Sequence, residues 1–116
     1  MEIEHLIKNN VLVITPKGES LDAKEVSNFK ETILDLNADT GINKIVFDMH
    51  CLQFIDSSGV GSFLSILRTL NHLEGELKLA EITKPIRTMF ELVSLHKIFE
   101  TFNTTDEAVN SFAEKQ

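Results

Sequence analysis

The segment with most chemical potential is Phe54-Ile55-Asp56-Ser57-Ser58-Gly59-Val60-Gly61, where a carboxylate precedes two hydroxyls and two glycines follow. It lies between an apolar run ending near Met49 and the residues Phe63, Leu64, Leu67 and Leu70, which recur at helical spacing. A loop feeding a helix that begins near Ser57 or Ser58 is therefore predicted. The first amides of a helix lack intrahelical acceptors and sit at the positive end of its dipole. Either serine can cap the helix there, and backbone N–H groups can hold a phosphate carried by one of them. Gly59 and Gly61 leave the backbone uncovered, so that another molecule can approach closely. A plainer alternative stands beside this one: a serine is an ordinary cap and the glycines only permit tight packing. Asp56 has two readings as well, capping the turn through its own backbone or marking the adjacent hydroxyl for a kinase.

Other chemistries fit the residues poorly. GxxxxGK[ST] is absent, and Gly59-Val60-Gly61 lacks the third glycine of a dinucleotide fingerprint. A nucleophile elbow needs a glycine two residues ahead of its serine, and neither Ser57 nor Ser58 has one. The candidate bases His5, His50, His72 and His96 are scattered along the chain, with no pattern that brings one to the loop. His50 and Cys51 are adjacent, and as strand neighbours their side chains are expected to point to opposite faces, which argues for structural roles over a metal site.

The elements that must position this loop follow from periodicity. Ile3 to Ile7 and Val11 to Ile14, separated by Lys8-Asn9-Asn10, predict an edge hairpin. Pro16 and Gly18 stop its second strand. Asp22 and Glu25 look like a helix start whose side chains satisfy free amides, followed by the buried stripe Val26, Phe29, Ile33 and Leu36. Lys44 to Met49 suits a central strand covered on both faces. Gly75 ends the helix that starts at the serines. Leu77 to Ile82 reads as another strand, and Thr83 and Pro85 suit the cap and first turn of a helix burying Ile86, Met89, Phe90 and Val93. A last strand is predicted near Ile98 to Phe102. A capping box at Thr104 to Glu107 then opens a helix with Ala108, Val109, Phe112 and Ala113 inward. Glu114-Lys115-Gln116 is expected to fray. Strands alternating with helices after a hairpin give an α/β fold, a mixed sheet whose later strands are parallel, packed with four helices.

A chain of 116 residues fits one domain, and a 42% hydrophobic, 25% charged composition is that of a folded globular protein. Its formal charge of -7 repels a nucleic-acid backbone, which argues against direct DNA binding and for a partner with a basic face. Trp and Tyr are absent and the eight Phe read as core, so few aromatics are available to stack on bases. A lone cysteine excludes an intrachain disulfide and fits a reducing cytoplasm. No apolar run reaches the length of a membrane span, and the acidic start MEIEHLIKNN is unlike a signal peptide.

With these residues in hand, the sequence resembles the STAS domain family, and within it the stand-alone anti-sigma-factor antagonists. The hairpin, Gly18-Glu19 with Leu21-Asp22, the Ile45-Val46-Phe47-Asp48 strand, Phe54 to Gly61, and the Pro85-to-Phe99 unit recur in the family's order. The resemblance implies one STAS domain over 1–116, with Ser57 as the phosphorylated residue and Ser58 as its unmodified neighbour. It further implies a partner face made by Asp22, Asp56, Ser57, Ser58, Gly59, Val60, Gly61 and Ser62, with Ser62 and Ser65 as small exposed contacts. Two departures stand out: Ser20 is an extra residue between Glu19 and Leu21, and Val60 replaces the commoner Leu.

The function that the resemblance implies is partner switching. The unphosphorylated chain binds an anti-sigma factor with a histidine-kinase-like ATPase fold, which phosphorylates Ser57 and lets go. A metal-dependent serine phosphatase resets the cycle. The chain is then a cytoplasmic substrate and ligand with no cofactor, no metal and no catalysis of its own. A phosphate adds about -1.5 to -2 charges, so the switch is expected to work by blocking contact rather than by unfolding. The alternative that the family offers is an accessory subunit that binds the ATPase of a lipid-type membrane transporter without a phosphorylation cycle.

Overall fold

Asn9 and Asn10 both take left-handed backbone angles, φ 52° and 62°, which is what a tight two-residue hairpin turn requires. They join β1 (Ile3–Lys8) to β2 (Val11–Pro16) in an antiparallel pair. A computed structural model of the chain, describing residues 1–113, shows what is built on this hairpin. Residues 114–116, where fraying is expected, lie outside the described residues.

Every later strand of the main sheet runs parallel to its neighbour: β4 (Lys44–Asp48) beside β2, β6 (Glu76–Ala80) beside β4, and β7 (Glu100–Phe102) beside β6. The resulting order is β1-β2-β4-β6-β7. Two short strands that periodicity does not signal, β3 (Ser20–Leu21) and β5 (Phe54–Ile55), form a separate parallel pair. Ser20 stands opposite Phe54 in this pair.

Alternation along the strands divides the core. Leu12, Ile14, Ile45, Phe47, Leu77 and Leu79 face one way. They are covered by Phe29 and Ile33 of α1 (Val26–Thr40), Phe63, Ile66 and Leu70 of α2 (Ser57–His72), and Ile86 and Phe90 of α3 (Lys84–Leu92). Phe29, Phe47 and Phe63 pack with ring centroids 5.3–5.7 Å apart, in the favourable range for tilted and edge-on rings. Val11, Val13, Val46 and Ala80 face the other way, under Ala108, Val109 and Phe112 of α4 (Thr105–Ala113). The end of α4 lies beside Asn9 and Lys44, where β4 begins.

Lys78 is completely buried on the α4 side. Its ammonium donates to Ser111 Oγ at 2.5 Å, lies 3.6 Å from Glu100 Oε1 and sits 4.2 Å from the Phe112 ring centroid. A hydrogen bond, an ion pair and a ring face replace the water that a buried charge would otherwise miss.

Several boundaries differ from expectation for identifiable reasons. Helix α1 starts at Val26 rather than at Asp22, because Asp22 Oδ1 closes a turn onto Lys24 N–H (3.0 Å) and Glu25 Oε2 lies 2.8 Å from the Met1 amino nitrogen. Neither side chain caps the helix. Val93 is 55% exposed instead of inward: α3 ends at Leu92, Ser94 turns left-handed (φ 61°), and Leu95 takes the interior place at a single 3-10 turn, Leu95–Lys97. Ala113 is exposed at the end of α4, and Phe54 is 54% exposed, so not every Phe is core. Half of the capping box before α4 forms: Thr104 Oγ1 accepts from Glu107 N–H at 3.1 Å, while the Glu107 carboxylate accepts from the Thr104 hydroxyl, also at 3.1 Å, rather than from its amide.

Gly75 is required by proximity, since a Cβ there would stand 2.3 Å from the Asn43 carbonyl oxygen. Gly75→Ala is expected to lower unfolding free energy by about 1–3 kcal/mol, as overpacking does, read as a lower midpoint with unchanged slope in urea denaturation.

Candidate functional site

Helix α2 begins where β5 ends, and the residue that caps it is Asp56, not a serine. Asp56 has extended backbone angles, and its Oδ1 accepts from Gly59 N–H at 2.9 Å. Its other oxygen, Oδ2, accepts from Ala23 N–H at 3.2 Å. One carboxylate thus caps α2 and ties its start to the turn ahead of α1. Asp56 N–H itself donates to Leu21 O at 3.3 Å, so the cap is anchored to the small β3–β5 sheet as well.

The first turn of α2 divides by face. Ser57, Ser58 and Gly61 are exposed, and Val60 is half-buried. Gly59 is buried, and a Cβ on it would meet Leu21 O and Ile55 Cγ1, each at 2.5 Å. The expectation that Gly59 offers open backbone to a partner is therefore corrected: it exists so that α2 can lie against β3 and β5. Gly61 does face outward, with nothing within 4 Å of the position of a Cβ. Ser62, expected as an exposed contact, is 6% exposed, and its hydroxyl donates back to Gly59 O at 2.7 Å. Helical geometry puts position 62 on the same inward face as 59 and 66. Ser65 is half-buried, and Asp22 is half-buried beside the tie to Asp56.

The Asp56 carboxylate satisfies only Gly59 in the first turn, so the amides of Ser57 and Ser58 face the open end of the helix. Among the described residues no side chain hydrogen-bonds to the Ser57 or Ser58 hydroxyl, and none of His5, His50, His72 and His96 stands there as a base.

His50 and Cys51 depart from expectation. β4 stops at Asp48 and the chain turns, with Leu52 N–H donating to Met49 O at 3.1 Å, so strand alternation no longer separates the two side chains. Cys51 Sγ lies 3.2 Å from His50 Nε2, and His50 Nδ1 lies 2.8 Å from Asp48 Oδ1. Among the described residues no group of three or more His, Cys, Asp or Glu is arranged to hold a metal.

Sequence reasoning missed the other wall of the site. Ser57, Val60 and Leu64 of α2 face Met89, Val93 and Leu95 across a groove of about 440 Å³. Leu92, 80% exposed, continues the apolar surface past the end of α3. The signal was apolar Leu92 next to Val93, of which periodicity assigned only Val93 to the core.

These features define a class of small α/β modules: a mixed sheet with three helices on one face and one on the other, and a capped helix start carrying an exposed serine. The chain belongs to the STAS domain family, whose model matches residues 2–108. It is 30% identical over 82 residues, 71% of each chain, to the Bordetella bronchiseptica protein BtrV, which carries the name of an anti-sigma factor antagonist. It is 26% identical to the anti-sigma F factor antagonist of Paenibacillus polymyxa, over 98% of this chain and 92% of that one. The Bacillus protein SpoIIAA shares the fold at 24% identity. The TM-score is 0.80 for its unphosphorylated form, over 97% of both chains, and 0.71 for its phosphorylated form, over 96% of this chain and 99% of that one. Among the described residues no helix is long and apolar enough to cross a membrane.

Asp56→Ala is expected to cost about 1–2 kcal/mol through loss of the cap, and Asp56→Asn less, since its one amide oxygen can still cap Gly59 N–H while its NH2 cannot accept from Ala23 N–H, measured by thermal unfolding. The two helix glycines should respond oppositely. Gly61→Ala is expected to stabilise by about 0.5–1 kcal/mol, because nothing obstructs the methyl and alanine is the better helix former. Gly59→Ala is expected to destabilise.

Proposed function

We propose that this chain, acting as one STAS domain over 1–116, is an anti-sigma factor antagonist whose binding to an anti-sigma factor is switched off by phosphorylation of Ser57. The observation that carries the proposal is the exposed Ser57 hydroxyl at the first position of α2, beside amides that can receive an anion and on the rim of an apolar groove. The names of BtrV and of the Paenibacillus relative, and the existence of SpoIIAA in a phosphorylated form, support the same reading.

The partner of this reading is a serine kinase with a histidine-kinase-like ATPase fold, and a metal-dependent serine phosphatase reverses the modification in the cytoplasm. The partner face comprises Asp22, Asp56, Ser57, Ser58, Val60 and Gly61, extended across the groove by Met89 and Val93. Gly59 and Ser62 shape that face from beneath. The chain serves as substrate and ligand: a catalytic serine would need a base within hydrogen-bond reach, and the hydroxyl of Ser57 has none among the described residues.

The physical mechanism is a charge placed where two surfaces must close. Esterification replaces the hydroxyl proton with a hydrated group of about -2 charge, which the helix amides tolerate in the free chain. Against a docked apolar surface the same charge loses its water without gaining a partner. A penalty of ~3 kcal/mol weakens binding more than a hundredfold.

The test is phosphotransfer and capture with native lysate and three baits. Wild type and Ser57→Ala are expected to retain an ATPase-type kinase, Ser57→Asp to lose it by about a hundredfold, and mass spectrometry to find phosphate on Ser57 of wild type alone. Phosphate on Ser58, or undiminished capture by Ser57→Asp, would refute the assignment.

A further inference from the structure

Strand β1 is one of the two edges of the main sheet: it pairs with β2 alone, and Glu4 to Lys8 are all exposed. Leu6 and Ile7 are each 54% exposed, an apolar pair on an edge of the kind that monomeric proteins usually blunt. The hairpin register decides which backbone groups remain free. Lys8 and Val11 close a two-residue turn and exchange hydrogen bonds, so Leu6 with Val13 and Glu4 with Thr15 do the same. The N–H and C=O groups of Ile3, His5 and Ile7 therefore point outward, unpaired.

We propose that two copies of this chain associate through antiparallel pairing of their β1 strands, centred on Leu6, to form one continuous sheet. The parity of the free groups allows only registers in which odd residues pair with odd ones. Centred on Leu6, His5 exchanges hydrogen bonds with Ile7 of the second copy, and Leu6 meets its own equivalent in the closer, non-hydrogen-bonded arrangement. Glu4 then stands opposite Lys8 of the second copy, and Lys8 opposite its Glu4. Sliding by two residues in either direction sets Leu6 against Glu4 or against Lys8, and the apolar side chain meets a charge.

Charge complementarity thus selects both the occupant and the register. Glu4 lies 3.6 Å from Lys17 Nζ, and Lys8 Nζ lies 2.5 Å from Asp106. Their side chains remain 60% and 49% exposed, so each can take a second partner. Association extends them into rows of alternating sign, Lys17, Glu4, Lys8 and Asp106, across the junction. The residues used are separate from the Ser57 face, so the dimer presents both serines and stands or falls independently of the switch.

Sedimentation equilibrium of the full chain from micromolar to millimolar concentration, at ~150 mM salt to screen the repulsion between two acidic chains, reads the result. The mass is expected to rise from 13.1 kDa towards twice that value. Glu4→Lys and Lys8→Glu alone should each weaken association by about tenfold or more, and an equimolar mixture of the two variants should restore it, because every opposed pair is again of opposite sign. On a Cys51→Ser background, Leu6→Cys should form a disulfide-linked dimer under mild oxidant, while Ile7→Cys, which faces His5 in this register, should not. Circular dichroism melting verifies that each variant is folded. A constant 13.1 kDa at every concentration would overturn the proposal, as would a mixture no better than its components or faster cross-linking through Ile7→Cys.

Discussion

The Asp56 carboxylate is the contact on which the presentation of the site depends. It accepts from Gly59 N–H with one oxygen and from Ala23 N–H with the other, joining segments that are 33 residues apart in the chain. The same group fixes where α2 starts, how the turn before α1 is shaped, and which face the next residue shows. A serine in that position could cap the helix, but a single hydroxyl oxygen is poorly placed to serve both amides at once. Ser57 is consequently relieved of the structural task and left with its hydroxyl outward.

That arrangement holds only because the surfaces behind it are tightly packed. Gly59 lets α2 press against Leu21 and Ile55, and Ser62 returns its hydroxyl to the Gly59 carbonyl one turn later. Phe63 continues the same helix face into contact with Phe29 and Phe47. A rigid chain of contacts therefore runs from the centre of the sheet to the serine. An added charge at Ser57 meets a helix start that is already anchored, and its effect falls on whatever approaches from outside.

Much of this was legible in the residue pattern, and the failures have physical causes. The hairpin, the parallel direction of the later strands, the stripes of α1, α2 and α4, and a helix start near Ser57 or Ser58 follow from period and turn chemistry, as with Asn9-Asn10 and Thr104 with Glu107. Tertiary hydrogen bonds escaped. Nothing local says that Asp56 reaches Ala23, that this holds residues 22–25 as a turn, or that Ser20 pairs with Phe54. Periodicity also assumed that each helix continues, so it placed Val93 inside, whereas the left-handed Ser94 redirects the chain and hands the interior to Leu95. Gly59 and Gly61 look equivalent in sequence, and only the packing separates the buried one from the exposed one.

The placement of α4 has a practical corollary. Three helices lie on one face of the sheet and α4 lies alone on the other, finishing beside Asn9 and Lys44, where β4 begins. Ser57 follows the opposite end of that strand. The molecule therefore has two poles, and a biosensor surface or dye coupled at the Ala113 pole would leave the serine pole bare for ligands to reach.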